Sequence, residues 1–75
     1  MNDQLISIKI FNKKGQVVDR CRTRKLRRIY SFIKANKIQD CTYIVSVKYG
    51  DGYENNGEYF DKQDLVEAIK QFLEK

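Results

Sequence analysis

Cys41-Thr42-Tyr43-Ile44-Val45-Ser46-Val47-Lys48-Tyr49-Gly50-Asp51-Gly52-Tyr53 is the stretch whose reading decides the fold. Its first part is dense in β-branched and aromatic side chains, which suit a pleated, half-buried strand. Asp51-Gly52 then supplies a strong two-residue hairpin signal. A turn there folds Tyr53 to Phe60 back against the strand. Asn55-Asn56-Gly57 within that return suggests a bulge or a second turn.

The flanks complete the reading. Downstream, Asp61 reads as a helix N-cap with Asp64 at N3, a variant of the capping box. Phe60 and Leu65 form the expected hydrophobic staple, and Leu65, Val66, Ile69, Phe72 and Leu73 make the apolar stripe. Upstream, Leu5-Ile6-Ser7-Ile8-Lys9-Ile10-Phe11 alternates, with Ile6, Ile8 and Ile10 on one face and Ser7 and Lys9 on the other. Asn12-Lys13-Lys14-Gly15 is a hairpin turn with Gly15 suited to the left-handed position. Gln16 to about Arg22 returns as a second strand; the competing reading starts a helix at Asp19 with its carboxylate as N-cap. Leu26, Ile29, Tyr30 and Ile33 fall at i, i+3, i+4 and i+7, which predicts an amphipathic helix from about residue 24 to Asn36, with Thr23 as N-cap.

The expected fold is therefore α+β in the order ββαββα: one antiparallel four-stranded sheet with two helices packed on one face. Residues 1–75 form a single small domain. The halves 5–37 and 41–75 look alike: Ile6-Ser7-Ile8-Lys9-Ile10 matches Val45-Ser46-Val47-Lys48-Tyr49 at an offset of 39, and Ile29, Phe32 and Ile33 match Ile69, Phe72 and Leu73 at 40. A duplicated ββα unit explains this, and so does the generic pattern of any half-buried strand followed by an amphipathic helix.

Charge divides the chain. Residues 1–38 hold 11 Lys/Arg against 2 Asp/Glu, a net of +9, and residues 39–75 hold 4 against 8, a net of −4. A surface shaped for solubility mixes its signs. The cations concentrate in Arg20, Arg22, Arg24, Lys25, Arg27 and Arg28. Those in a first helical turn face the positive end of the helix dipole, a penalty an anion would relieve. Backbone N–H groups there, together with arginines, suit phosphate. The partner this favours is nucleic acid, DNA or RNA, held mainly by its backbone. A solvated cationic face, or a patch for acidic protein, is the alternative. Lys13 and Lys14 extend the patch if the first hairpin folds that way.

A second interface reading uses the acidic half, where Tyr49, Asp51, Tyr53, Glu54, Glu58 and Tyr59 interleave aromatic and carboxylate groups. Such a surface suits a basic protein partner or an inhibitor that mimics nucleic-acid charge. Plain strand packing of the Tyr residues is the plainer account. Opposite charges of the two halves also suit a homodimer.

Catalysis, metal and membrane are the weaker readings. No histidine is present for acid/base work near neutrality, and neither a glycine-rich phosphate loop nor a nucleophile motif occurs. Cys21 and Cys41 cannot make a four-ligand zinc site within one chain. Both sit in apolar alternation, as core or half-buried residues do; a metal shared across a dimer, or a redox pair, is the alternative. No cofactor is expected. No apolar run approaches the length of a membrane span. Met1-Asn2-Asp3-Gln4 lacks a basic n-region, so a signal peptide is not expected and the cytoplasm is the default location.

Lys48-Tyr49-Gly50-Asp51-Gly52-Tyr53-Glu54-Asn55-Asn56-Gly57-Glu58-Tyr59-Phe60-Asp61-Lys62-Gln63-Asp64-Leu65 resembles a family of small proteins carried by bacterial conjugative elements and phages. The hairpin-then-helix pattern is also similar to the arm-type DNA-binding domains of tyrosine integrases. That family's third strand and basic sheet face do not map here, since residues 51–61 are acidic. The resemblance implies a bacterial accessory protein of a mobile element and carries no site residue across.

Overall fold

The two hairpins are closed by the same turn. Gly15 N–H donates to the Asn12 carbonyl at 3.0 Å, and Asn12 N–H donates to Gln16. Likewise Gly52 N–H donates to Tyr49 at 2.9 Å, and Tyr49 N–H to Tyr53. Gly15 and Gly52 stand at φ 80 and 93, left-handed values that favour glycine. Each loop therefore holds three residues ending in a left-handed glycine. Asp51-Gly52 is thus not a two-residue turn: Gly50 belongs to the loop, and Asp51 Oδ1 accepts from Tyr53 N–H at 2.9 Å.

The computed structural model describes residues 4–73. Met1-Asn2-Asp3, read above for a leader, and Glu74-Lys75 at the end of the second half lie outside the described residues. The elements are β1 (Leu5–Phe11), β2 (Val17–Thr23), α1 (Leu26–Ala35), β3 (Thr42–Lys48), β4 (Glu54–Tyr59) and α2 (Lys62–Leu73). They form an α+β fold whose antiparallel sheet has the order β2-β1-β3-β4. Residues 17–23 are strand, so no helix starts at Asp19.

Alternation assigns the faces. Ile6, Ile8 and Ile10 of β1 and Tyr43, Val45 and Val47 of β3 are buried with Ile29 and Ile33 of α1 and Leu65 and Ile69 of α2 in one core. Cys41 is buried and Cys21 half-buried, both as free thiols. Ala68 joins the buried face of α2. Phe60 stays 72% exposed, so most of its ring lies in solvent rather than stapled to Leu65.

The bulge is in β2. Phe11 pairs with Val17 but Ile10 pairs with Asp19, leaving Val18 as the extra residue. β4 by contrast pairs regularly from Glu54 to Tyr59, with neither bulge nor turn at Asn55-Asn56-Gly57. Burial aligns the halves differently from sequence matching. Ile6, Ile8 and Ile10 correspond to Tyr43, Val45 and Val47, and Gly15 to Gly52, an offset of 37. Beyond Val18 it becomes 36, so Ile29 and Ile33 correspond to Leu65 and Ile69. The sequence match at 39 is one pleat out of phase with this.

Helix α1 starts at Leu26, two residues later than expected. Its N-cap is Lys25, whose side chain makes no capping bond. Thr23 Oγ1 instead accepts from Lys25 N–H at 3.1 Å, outside the helix. The other end is tightly held. Asn36 is the C-cap, its N–H donating to Ile33. Its buried amide Nδ2 donates to Tyr43 Oη at 2.8 Å, and its Oδ1 accepts from Ile38 N–H at 3.2 Å. Lys62 Nζ reaches from the start of α2 to the Asn36 and Lys34 carbonyls, placing a cation on the negative end of α1. Among the described residues, no helix is long and apolar enough to cross a membrane.

Asn36→Ala should destabilise the fold by about 1–3 kcal/mol, because the buried Tyr43 hydroxyl loses its donor. Denaturant midpoints at constant m-value check this. Burial, chiefly, raises the Tyr43 pKa above the ordinary 10.0. The neutral phenol is the form the fold favours, so its contribution is complete below the unfolded value and is lost as pH rises through the folded one. Burial also raises Tyr30, which acts in the same direction. Stability should therefore fall on the alkaline side of pH 10, and Tyr43→Phe should flatten that fall without abolishing it. Midpoints measured from neutral to strongly alkaline pH provide the test.

Candidate functional site

Register and alternation build the open face of the sheet row by row, since directly paired residues of neighbouring strands share a face. Arg20 pairs with Lys9, Lys9 with Ile44, and Ile44 with Glu58. In the next row Arg22 pairs with Ser7, Ser7 with Ser46, and Ser46 with Asn56. A third row joins Leu5, Lys48 and Glu54. All three lie on the face away from the helices, because their neighbours Ile6, Ile8 and Ile10 are buried beneath. The face is polarised, with arginines on the β2 edge and Glu54 and Glu58 on the β4 edge. A groove of ≈ 700 Å³ lies over its cationic side, lined by Ser7, Lys9, Arg20, Arg22, Ile44 and Ser46 among others.

The six cations expected to act as one cluster divide between two layers. Arg20 and Arg22 stand on the open face. Arg27 and Arg28 are exposed on the first turn of α1, which packs on the opposite face. Arg24 and Lys25 lie in the connection between them. The start of α1 has no acidic residue in its first turn. Its amides are partly used already, since Arg28 and Ile29 N–H both donate to the Lys25 carbonyl. Among the described residues, Arg20, Arg22, Arg27 and Arg28 make no ion pair. Lys13 is drawn off to Asp40 at 3.5 Å, at the far end of the first hairpin from the junction.

The acidic hairpin also separates. Tyr49 and Tyr59 are half-buried against the core. Tyr49 Oη donates to the Phe72 carbonyl and accepts from Asn55 Nδ2. The Tyr59 ring lies across Gly57, where an added Cβ would come within 2.5 Å of it. Glu54 accepts from Ser46 Oγ at 3.1 Å and from Asn56 Nδ2. Of the three Tyr residues expected at this interface, Tyr53, 59% exposed and tilted against Tyr49 at 5.9 Å, remains a surface group, next in the chain to Glu54. Phe60 is the most exposed apolar side chain of this half.

No family model matches the chain, and neither does any curated protein or solved structure. Among the described residues, no three His, Cys, Asp or Glu side chains cluster closely enough to hold a metal ion. The sheet face offers exposed guanidinium and ammonium groups beside hydroxyls, which can hold an anion by charge-assisted hydrogen bonds.

Lys9 is the residue that reading the cations as a run along the chain missed. Its direction was legible from alternation, but its place opposite Arg20 depends on the bulge and the turn.

The uncapped start of α1 gives a direct check. Lys25→Asp supplies an acceptor for the first-turn amides and a charge of the sign the dipole favours. The substitution should stabilise the fold by about 1 kcal/mol, read as a higher denaturant midpoint.

Proposed function

We propose that this chain is a small non-enzymatic module that binds the phosphate backbone of nucleic acid through its cationic half. The observation that carries this reading is four exposed arginines without carboxylate partners among the described residues, Arg20 and Arg22 on the open sheet face and Arg27 and Arg28 on the first turn of α1, a turn that lacks an acidic residue. A surface of that kind breaks no ion pair when it neutralises phosphates and gains the release of condensed counterions. Arg24 and Lys25 extend it across the strand-to-helix connection. With only backbone groups in reach, base readout is weak. A role as a bacterial accessory protein of a mobile element is the biological setting that the C-terminal resemblance suggests, with the cytoplasm as its compartment.

A second reading rests on Tyr53, 59% exposed at the hairpin end of β4 near Asp51 and Glu54, and on Phe60, 72% exposed at the other end near Glu58. That surface suits a basic protein partner, as an interaction or inhibitor module would need, or the cationic half of a second copy. Aromatic contact should lose little affinity with salt, whereas phosphate contact loses it steeply.

Fluorescence polarisation against labelled duplex DNA, single-stranded DNA and RNA at two salt concentrations separates the two. Binding should weaken with salt at a slope of about −0.9 per phosphate on duplex DNA. A quadruple variant, Arg20→Glu/Arg22→Glu/Arg27→Glu/Arg28→Glu, should not bind. Absence of binding by the unaltered chain at low salt would refute the nucleic-acid reading. A larger species on size-exclusion chromatography that forms only when Tyr53 and Phe60 are intact would support the second.

A further inference from the structure

Lys9 and Arg20 are direct cross-strand partners on the open face. Like charges so placed repel, and a sheet gains nothing structural from them. The carboxylate of that row, on Glu58, lies beyond Ile44, two strands from Lys9. Arg22 stands two residues further along β2 on the same face, about 6.8 Å away along the strand. That step is close to the separation of successive phosphates along a nucleic-acid strand. The groove over these residues adds the hydroxyl of Ser7, while that of Ser46 is already donated to Glu54.

We infer that the open sheet face is the primary phosphate site, with Lys9 and Arg20 clasping one phosphate and Arg22 the next on a single backbone laid along β2. This rests on the nucleic-acid reading above and narrows it. It adds Lys9, a residue outside the basic run, and it makes Arg27 and Arg28 peripheral because they lie on the other layer. The acidic β4 edge sets the limit of the site. Glu54 and Glu58 repel a backbone that strays across the sheet, so the ligand tracks the β2 side. The exposed aromatics, Tyr53 and Phe60, belong to the acidic half. The denser charge of a duplex makes it the preferred ligand over a single strand.

The test uses the unaltered chain, Lys9→Gln, and Arg27→Gln/Arg28→Gln, each titrated against the same labelled duplex and against a single strand of the same sequence. Lys9→Gln should weaken duplex binding about 10-fold at low salt, as loss of one charge-assisted contact does. Its salt slope should be shallower by about one. The free Lys9→Gln protein should also melt at a higher temperature, because the like-charge pair is gone. Arg27→Gln/Arg28→Gln should weaken duplex binding less than Lys9→Gln does, although it removes two charges rather than one. Loss of binding in that pair with none in Lys9→Gln would overturn the inference and leave the broader reading standing. A lower melting temperature in Lys9→Gln would also overturn it, by marking Lys9 as structural. Tighter binding of the single strand would overturn the duplex assignment. Failure of the unaltered chain to bind either probe at low salt would remove both readings together.

Discussion

Everything in this molecule hangs on the ladder between β1 and β3. Ile6, Ile8 and Ile10 lie opposite Val47, Val45 and Tyr43, and all six are buried under the two helices. Side chains of a strand alternate with a period of two, so this one pairing sets the face of every other residue in the sheet. Slipping it by one residue would pair Ile8 with Ser46 and Lys9 with Val45, so one strand would turn inward, carrying either Lys9 of β1 or Lys48 of β3 into the core. The penalty for burying an unpaired ammonium makes that alternative inaccessible. The cationic and acidic edges are therefore positioned by apolar packing at the centre, with no electrostatic attraction between them required.

The two halves share a plan and differ in how they end their helices. In the second half, Asp61 precedes α2 and its carbonyl accepts from Leu65 N–H. Asp64 adds an acidic group to the first turn. The corresponding residue before α1 is Lys25, and no acid follows it in that turn. The other end of α1 is better served, by Asn36 and by Lys62 reaching over from α2. Helix α1 is thus anchored at its C-terminus and left electrostatically unfavourable at its N-terminus. A local rule obeyed in one half and broken in the corresponding place of the other is where a functional constraint is expected.

The element order was legible because strand alternation and helical spacing do not overlap: Ile6/Ile8/Ile10 and Leu26/Ile29/Tyr30/Ile33 cannot be mistaken for one another. The bulge at Val18 was not, since β2 reads as Val17-Val18-Asp19-Arg20 with no glycine to mark an irregularity. The loop of the second hairpin was read one residue too short because Asp-Gly serves both a two-residue turn and the end of a three-residue one. Of the candidate site, the identity of the cations was on the surface of the sequence. Their division between two layers was not, because it depends on where β2 stops and α1 begins, and Thr23 looked like a cap for a helix that starts beyond it.

The strongest competing account of the β2 arginines is protective. An edge strand with free backbone groups invites pairing with another chain, and charged side chains and bulges discourage it. Arg20, Arg22 and the bulge at Val18 fit that account well. It does not extend to Lys9. β1 is an interior strand, paired on both sides to β2 and β3, and has no edge to protect. Packing does not account for it either, since its side chain is exposed and its row neighbours are Arg20 and Ile44. A cation kept on an interior strand, directly opposite another cation, is explained by neither edge protection nor packing. An anionic ligand shared between Lys9 and Arg20 accounts for both residues at once.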